Sequence, residues 1–151
     1  MTDVQYREAV PEDAGAIVEF QLAMARETEN LELDRMILSR GVAALFADRT
    51  LGRYYIAELE GRAAGSLMIT YEWSDWRAGM VWWIQSVYVA PEFRRRGIYA
   101  GLYSHVKTFV DADPGIRGIR LYVDERNKRA QEVYARLGMN GEHYRVFEWM
   151  K

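Results

Sequence analysis

Strand-like and helix-like runs follow one another in the order β-α-α-β-β-β-α-β-α-β, and no other feature of the chain restricts its fold as much. The first strand candidate is VQYREAV, closed by Val10-Pro11. Pro11 with Glu12 and Asp13 reads as a helix start, a preset φ followed by acids at the positive end of the dipole. Ala14, Ile17, Phe20, Gln21 and Met24 then recur at helical spacing to about Glu27, and a second helix is expected from Leu33 to Phe46. RYYIAEL and AAGSLMITYEW flank Glu60-Gly61 and read as a hairpin. After the loop SDWRAG comes the long apolar strand MVWWIQSVYV. Ile98, Leu102, Val106 and Phe109 mark a helix that ends near Asp113-Pro114-Gly115, and GIRLYV is a strand. Ala130, Val133, Tyr134 and Leu137 mark the last helix, stopped by Gly138, and HYRVFEW is expected to close the chain as a strand. Helices interleaved with strands predict an α/β fold, a mixed sheet covered on both faces.

At 151 residues, with no linker or repeat, residues 1–151 are expected to form one domain. Lys and Arg total 20 against 22 Asp and Glu, a net charge of −2. A partner of polyanions usually carries a basic excess, so no nucleic-acid partner is expected. The chain has no cysteine, which removes disulfides, thiolate nucleophiles and cysteine zinc sites. With only His105 and His143, far apart in sequence, no metal site is expected. The N-terminus lacks the apolar core of a secretory signal, and no apolar run is long enough to span a bilayer. No membrane partner and a cytoplasmic location are the expectation.

The strand MVWWIQSVYV hands over to a helix through APEFRRRG, with Arg94, Arg95 and Arg96 set against Gly97. A turn that opens a helix presents unpaired N–H groups at a positive dipole end, and glycine permits close approach. The glycine pattern of a dinucleotide turn and that of a Walker loop are both absent. On the residues alone, the turn is either an anion cradle or a solvated basic surface.

The segment SVYVAPEFRRRGIYAGLY resembles the acetyl-coenzyme A signature of the GNAT N-acetyltransferases, Pro-x-x-Arg/Gln-x-x-Gly-x-Gly/Ala. Arg94 and Gly97 fall on the signature, whereas Tyr99 stands where the family most often has glycine or alanine. LYVDERNKRAQEVYARLGM resembles the next family motif, with Asn127, Ala130, Tyr134 and Gly138 in place. YREAVPEDAGAIVEF is similar to the family's opening strand and helix, so the resemblance covers nearly the whole chain.

The resemblance implies a mostly antiparallel sheet, splayed between the fourth and fifth strands, that binds acetyl-CoA. It implies that amides from Arg95 through Ile98 and Tyr99 to Ala100 wrap a pyrophosphate, with the arginines adding charge. It also implies that Val87, Tyr88 and Val89 offer a strand edge to pantetheine, the first N–H stabilising the oxyanion. Tyr134 is then the acid that protonates the departing thiolate, and Asn127 either contacts pantetheine or caps a helix. Family members often dimerise, so a homodimer is a further expectation.

The general base is harder to find, because Gln85 and Ser86 stand where some relatives place a carboxylate. Candidates are Glu72 and Asp75 in YEWSDWRAG, and Glu27 or Glu29 beyond the first helix. Glu72 and Asp75 beside Trp73 and Trp76 suit a cation, through ion pairing and cation–π contact; the alternative is an ordinary hairpin end. Glu29, Glu72, Trp73, Asp75, Trp76 and Gln85 are the candidate acceptor residues. The function expected is transfer of an acetyl group from acetyl-CoA to a primary amine on a small cationic molecule. Direct attack is expected, since no cysteine can carry an acyl group. Acetylation of a protein N-terminus or lysine, and a non-catalytic acyl-CoA-binding module, stand as alternatives.

Overall fold

Glu60 and Gly61 both lie in the left-handed region, with φ of 54° and 73°, as a two-residue hairpin turn requires. That turn joins β2 (Arg53–Leu59) to β3 (Arg62–Ser74). A second hairpin joins β3 to β4 (Gly79–Val89), and β1 (Gln5–Glu8) pairs antiparallel with β2. The sheet has the order β1-β2-β3-β4-β5, and only β5 (Ile116–Arg120) is parallel to its neighbour. A computed structural model describes residues 3–151 and divides into two compact units, Met1–Arg120 and Leu121–Lys151.

In the first unit, strand alternation sends side chains to two helical layers. Tyr54 and Ile56 pack with Ile17, Val18 and Leu22 of α1 (Ala14–Glu29) and with Val42 and Leu45 of α2 (Arg35–Ala47). Tyr55, between them in sequence, faces the other way and meets His105 and Phe109 of α3 (Ile98–Ala112). Burial holds the His105 imidazole below its ordinary pKa, as expected of a histidine packed among aromatic rings. Each large side chain buried in these layers contributes about 1.5–3 kcal/mol. Asp34 caps α2 by accepting from the Met36 and Ile37 amides at 2.9 and 3.1 Å. Gly101 lets α3 approach β1, because a Cβ there would lie 1.9 Å from the Tyr6 hydroxyl oxygen. Among the described residues no helix is long and apolar enough to cross a membrane.

In the second unit, Asn127 caps α4 (Lys128–Arg136) through Oδ1, which accepts from the Ala130 amide at 3.1 Å. Gly138 ends the helix at φ 89°. Two expectations fail here. GIRLYV was expected to be strand throughout, but the ladder stops at Trp83↔Arg120 and Leu121–Val123 carry none. HYRVFEW, the expected closing strand, forms no strand, and Tyr144, Phe147 and Trp149 are exposed. Strand propensity needs a neighbouring backbone to pair with, and this segment has none among the described residues.

Asp13 ties the first strand to the first helix. Its carboxylate accepts from Arg7 Nη1 and Nη2 at 2.7 and 2.9 Å and from the Val10 amide at 2.8 Å. The Arg7 guanidinium therefore holds the Asp13 carboxyl below its usual range. Such a group stabilises the fold above its ordinary pKa, about 3.8, and loses that contribution as pH falls through the depressed folded value. Asp13→Asn leaves the arginine fork half-satisfied, with an expected loss of about 1–3 kcal/mol at neutral pH. Urea unfolding at pH 7 and pH 3 checks this; the gap between parent and mutant should narrow in acid.

Candidate functional site

The second half of β4 parts from regular strand geometry. Its ladder with β3 runs from Ser74↔Gly79 to Met68↔Gln85 and resumes at Ser66↔Tyr88, so Ser86 and Val87 stand opposite Leu67 alone. This is a β-bulge, and Ser86 sits at its bend with φ 54°. On its other side β4 is paired with β5 only from Met80 to Trp83. From Ile84 to Val89 no β5 partner follows, which is the splay between the fourth and fifth strands.

The strand ends in a tied turn. Pro91–Phe93 form a 3-10 turn with Phe93 buried as its plug. Arg94 folds back, donating from Nε to the Val89 carbonyl at 2.9 Å and from Nη2 to Glu27 Oε2 at 2.8 Å. Its guanidinium lies 5.4 Å from the centre of the Tyr88 ring, and the Tyr88 hydroxyl donates to Glu27 Oε1 at 2.9 Å. Arg94, and then Tyr88, hold the Glu27 carboxyl below its ordinary pKa, while burial and then Glu27 push the Tyr88 phenol up. The end of α1 is thus bound to the end of β4 through charge-assisted hydrogen bonds. Arg95 and Arg96 are exposed, Arg96 lying over the Phe93 ring at 5.8 Å.

Arg95 and Gly97 are both left-handed, with φ of 65° and 72°, and Gly97 is the N-cap of α3. The N-cap is a glycine, so no N-cap side chain accepts from the first amides of the helix. A Cβ built on Gly97 would meet nothing within 4 Å, so the space beside its α carbon is open. Open helix-start amides, a positive dipole end and two exposed arginines fit the pyrophosphate of a coenzyme, and the unpaired β4 edge fits an amide-bearing arm.

The acidic candidates divide. Tyr54, Met68 and Gln85 are register partners, and Met68 packs on the α1–α2 core, so Gln85, Thr70, Trp83 and Glu72 share that face. Glu72 accepts from Trp83 Nε1 at 2.8 Å and from Arg120 Nη1 at 2.7 and 3.0 Å. The Trp83 hydrogen bond and then Arg120 hold its carboxyl below the ordinary value. Gln85 Nε2 donates to Thr70 Oγ1 at 2.6 Å. The other acceptor candidates lie at the hairpin tip: Trp73 is 62% and Trp76 91% exposed, and Asp75 Oδ1 accepts from the Trp76 amide. Glu29 ends α1 on the exposed surface. Asn127 and Tyr134 belong to α4 of the second unit, Tyr134 half-buried there. Sequence reading passed over Trp83 and Arg120 as partners of Glu72, because a cross-strand pairing depends on register. It also passed over Gln21, although a polar residue on an apolar stripe was a visible signal.

Residues 17–139 match the acetyltransferase (GNAT) family model, and the chain belongs to that family. It is similar to the thialysine N-epsilon-acetyltransferase of Sus scrofa, 31% identical over 150 residues, covering 91% of this chain and 85% of the relative. A crystal structure of a possible acetyltransferase from Clostridium difficile 630 shares 40% identity at TM-score 0.91, covering 98% of this chain and 97% of that one. A predicted acetyltransferase from Clostridium acetobutylicum with acetyl-CoA shares the fold at TM-score 0.74 and 20% identity, over 99% and 95% of the two chains. The family and its relatives support acetylation of amines.

Val at position 97 tests the turn. Gly97→Val forces a β-branched residue into the left-handed region and fills the open space beside the Gly97 α carbon. The expected result is a tenfold or greater rise in the acetyl-CoA dissociation constant, about 1.4 kcal/mol, by calorimetry. Parental affinity would remove the turn from the cofactor site.

Proposed function

We propose that this chain, as a single GNAT domain over residues 1–151, moves an acetyl group from acetyl-CoA to a primary amine on a small cationic molecule. The observation that carries the reading is the open, glycine-capped start of α3 beside the unpaired half of β4. Arg95 and Arg96 supply charge for the phosphates, and the amides of Ile98, Tyr99 and Ala100 supply donors. Arg94 shapes the turn through Val89 and Glu27. Val87 to Val89 offer backbone to the pantetheine arm, and Asn127 contributes from the start of α4.

Acetyl-CoA supplies an activated acyl carbon, bonded to sulfur, for direct attack by the amine. The Val87 N–H is the proposed donor to the acyl oxygen as negative charge grows there. The Tyr134 phenol, with an ordinary pKa of about 10, is the proposed proton donor to the sulfur. Tyr134→Phe keeps the ring and removes the proton, so turnover should fall by roughly 10² with cofactor affinity unchanged. Stopped-flow thiol release beside calorimetry separates the two effects; unchanged turnover where chemistry limits the rate would assign that proton to water.

Glu72 is the proposed carboxylate facing the amine, with Asp75, Trp73, Trp76, Gln85 and Glu29 toward the acceptor. Because Arg120 and Trp83 hold Glu72 ionised, it suits attraction of a cation better than proton uptake. The name of the Sus scrofa relative supports a primary alkyl amine as acceptor class. In an assay panel of thialysine, polyamines, amino sugars, neutral amines and acidic amino acids, the cationic compounds should lead. Glu72→Gln should raise their Michaelis constants more than it lowers turnover. Since the depressed Glu72 pKa lies below the assay range, no rate inflection between pH 5 and 7 should be lost in the mutant. A best acceptor that is neutral or anionic would overturn the cationic assignment, and binding of acetyl-CoA without any transfer would leave a binding module. A cytoplasmic homodimer is part of the same reading, supported by the exposed Tyr144, Phe147 and Trp149, with light scattering as its test.

A further inference from the structure

One polar side chain lies on the apolar face of α1. The buried positions are Ile17, Val18, Gln21, Leu22 and Ala25, and Gln21 is only 5% exposed. A buried amide needs partners, and Gln21 Nε2 donates to the Ser86 carbonyl at 3.3 Å. Ser86 is the bulged residue of β4, left-handed at φ 54° without being glycine. Such a conformation persists only when its surroundings hold it.

The peptide unit between Ser86 and Val87 carries both the Ser86 carbonyl and the Val87 N–H. It is rigid and trans, so the two groups point in opposite directions. Whatever fixes the carbonyl therefore fixes the amide. We infer that Gln21 is a positioning residue: by holding the Ser86 carbonyl, it aims the Val87 N–H away from α1 as the oxyanion donor. Glu27 steadies the same strand farther along, through the Tyr88 hydroxyl and Arg94. The inference rests on the proposed role of Val87 in acetyl transfer and adds the residue that sets its direction.

Two variants test it. Gln21→Met keeps length and volume and removes the donor; Gln21→Glu can donate only when its carboxyl is protonated. The first readout needs no ligand: NMR coupling constants and carbon shifts of Ser86 report its left-handed conformation. In Gln21→Met that signature should be lost. Turnover should fall on the order of tenfold, with coenzyme A affinity and acceptor Michaelis constant within about twofold of parent. Gln21→Glu should regain both the signature and part of the turnover as pH is lowered, a response that a purely packing role would not produce. A Ser86 signature retained in Gln21→Met overturns the inference, as does parental turnover. If Gln21→Met does not fold, Gln21→Glu decides alone, and a pH-independent Ser86 signature there counts against it. A parent protein that transfers no acetyl group would defeat the functional reading, while the Ser86 signature would still decide whether Gln21 sets the bulge.

Discussion

The structure depends on an inequality in how β4 is paired. Its first half is hydrogen-bonded to both neighbours, and its second half keeps only β3. Backbone groups left without a ladder must find another partner or face solvent. In a core strand that would be a defect. Here it falls where the strand bends at Ser86 and leads into the arginine turn, so the unpaired groups are concentrated beside the start of α3. The helices serve this arrangement: α1 is tied to β4 by Gln21 and Glu27, and α3 is drawn against β1 where Gly101 admits the Tyr6 ring.

Much of this was legible in the sequence because it depends on local chemistry. Glu60-Gly61 read as a tight turn, Pro11 with Glu12 and Asp13 as a helix start, and Gly97 after three arginines as the opening of α3. Other features depend on register and could not be read. Glu72 was visible as an acid at a hairpin end, but its pairing with Trp83 and Arg120 requires knowing how β3, β4 and β5 align. HYRVFEW has strand composition and forms no strand, since composition specifies willingness to pair and not the presence of a partner. Gln21 fell between the two cases. Its spacing placed it on the core face of α1, and only the bulge explains why that face keeps an amide.

The same contrast bears on how far the family signature carries. Arg94 matches the signature position, yet two of its donors are used within the protein. Arg94 therefore acts on the shape of the turn, and the exposed charge is left to Arg95 and Arg96. Tyr99, the departure from the family pattern, is half-buried in the first turn of α3.

The chain carries a net charge of −2, so an approaching polyanion meets weak repulsion from the molecule as a whole, and the exposed charge of Arg95 and Arg96 acts locally. At physiological ionic strength such fields fade over roughly 8 Å. Long-range steering would therefore add little to the encounter rate with an anion. Added salt also weakens the Arg94–Glu27 pair, which is partly open to solvent, so ionic strength acts on the shape of the turn as well as on its charge.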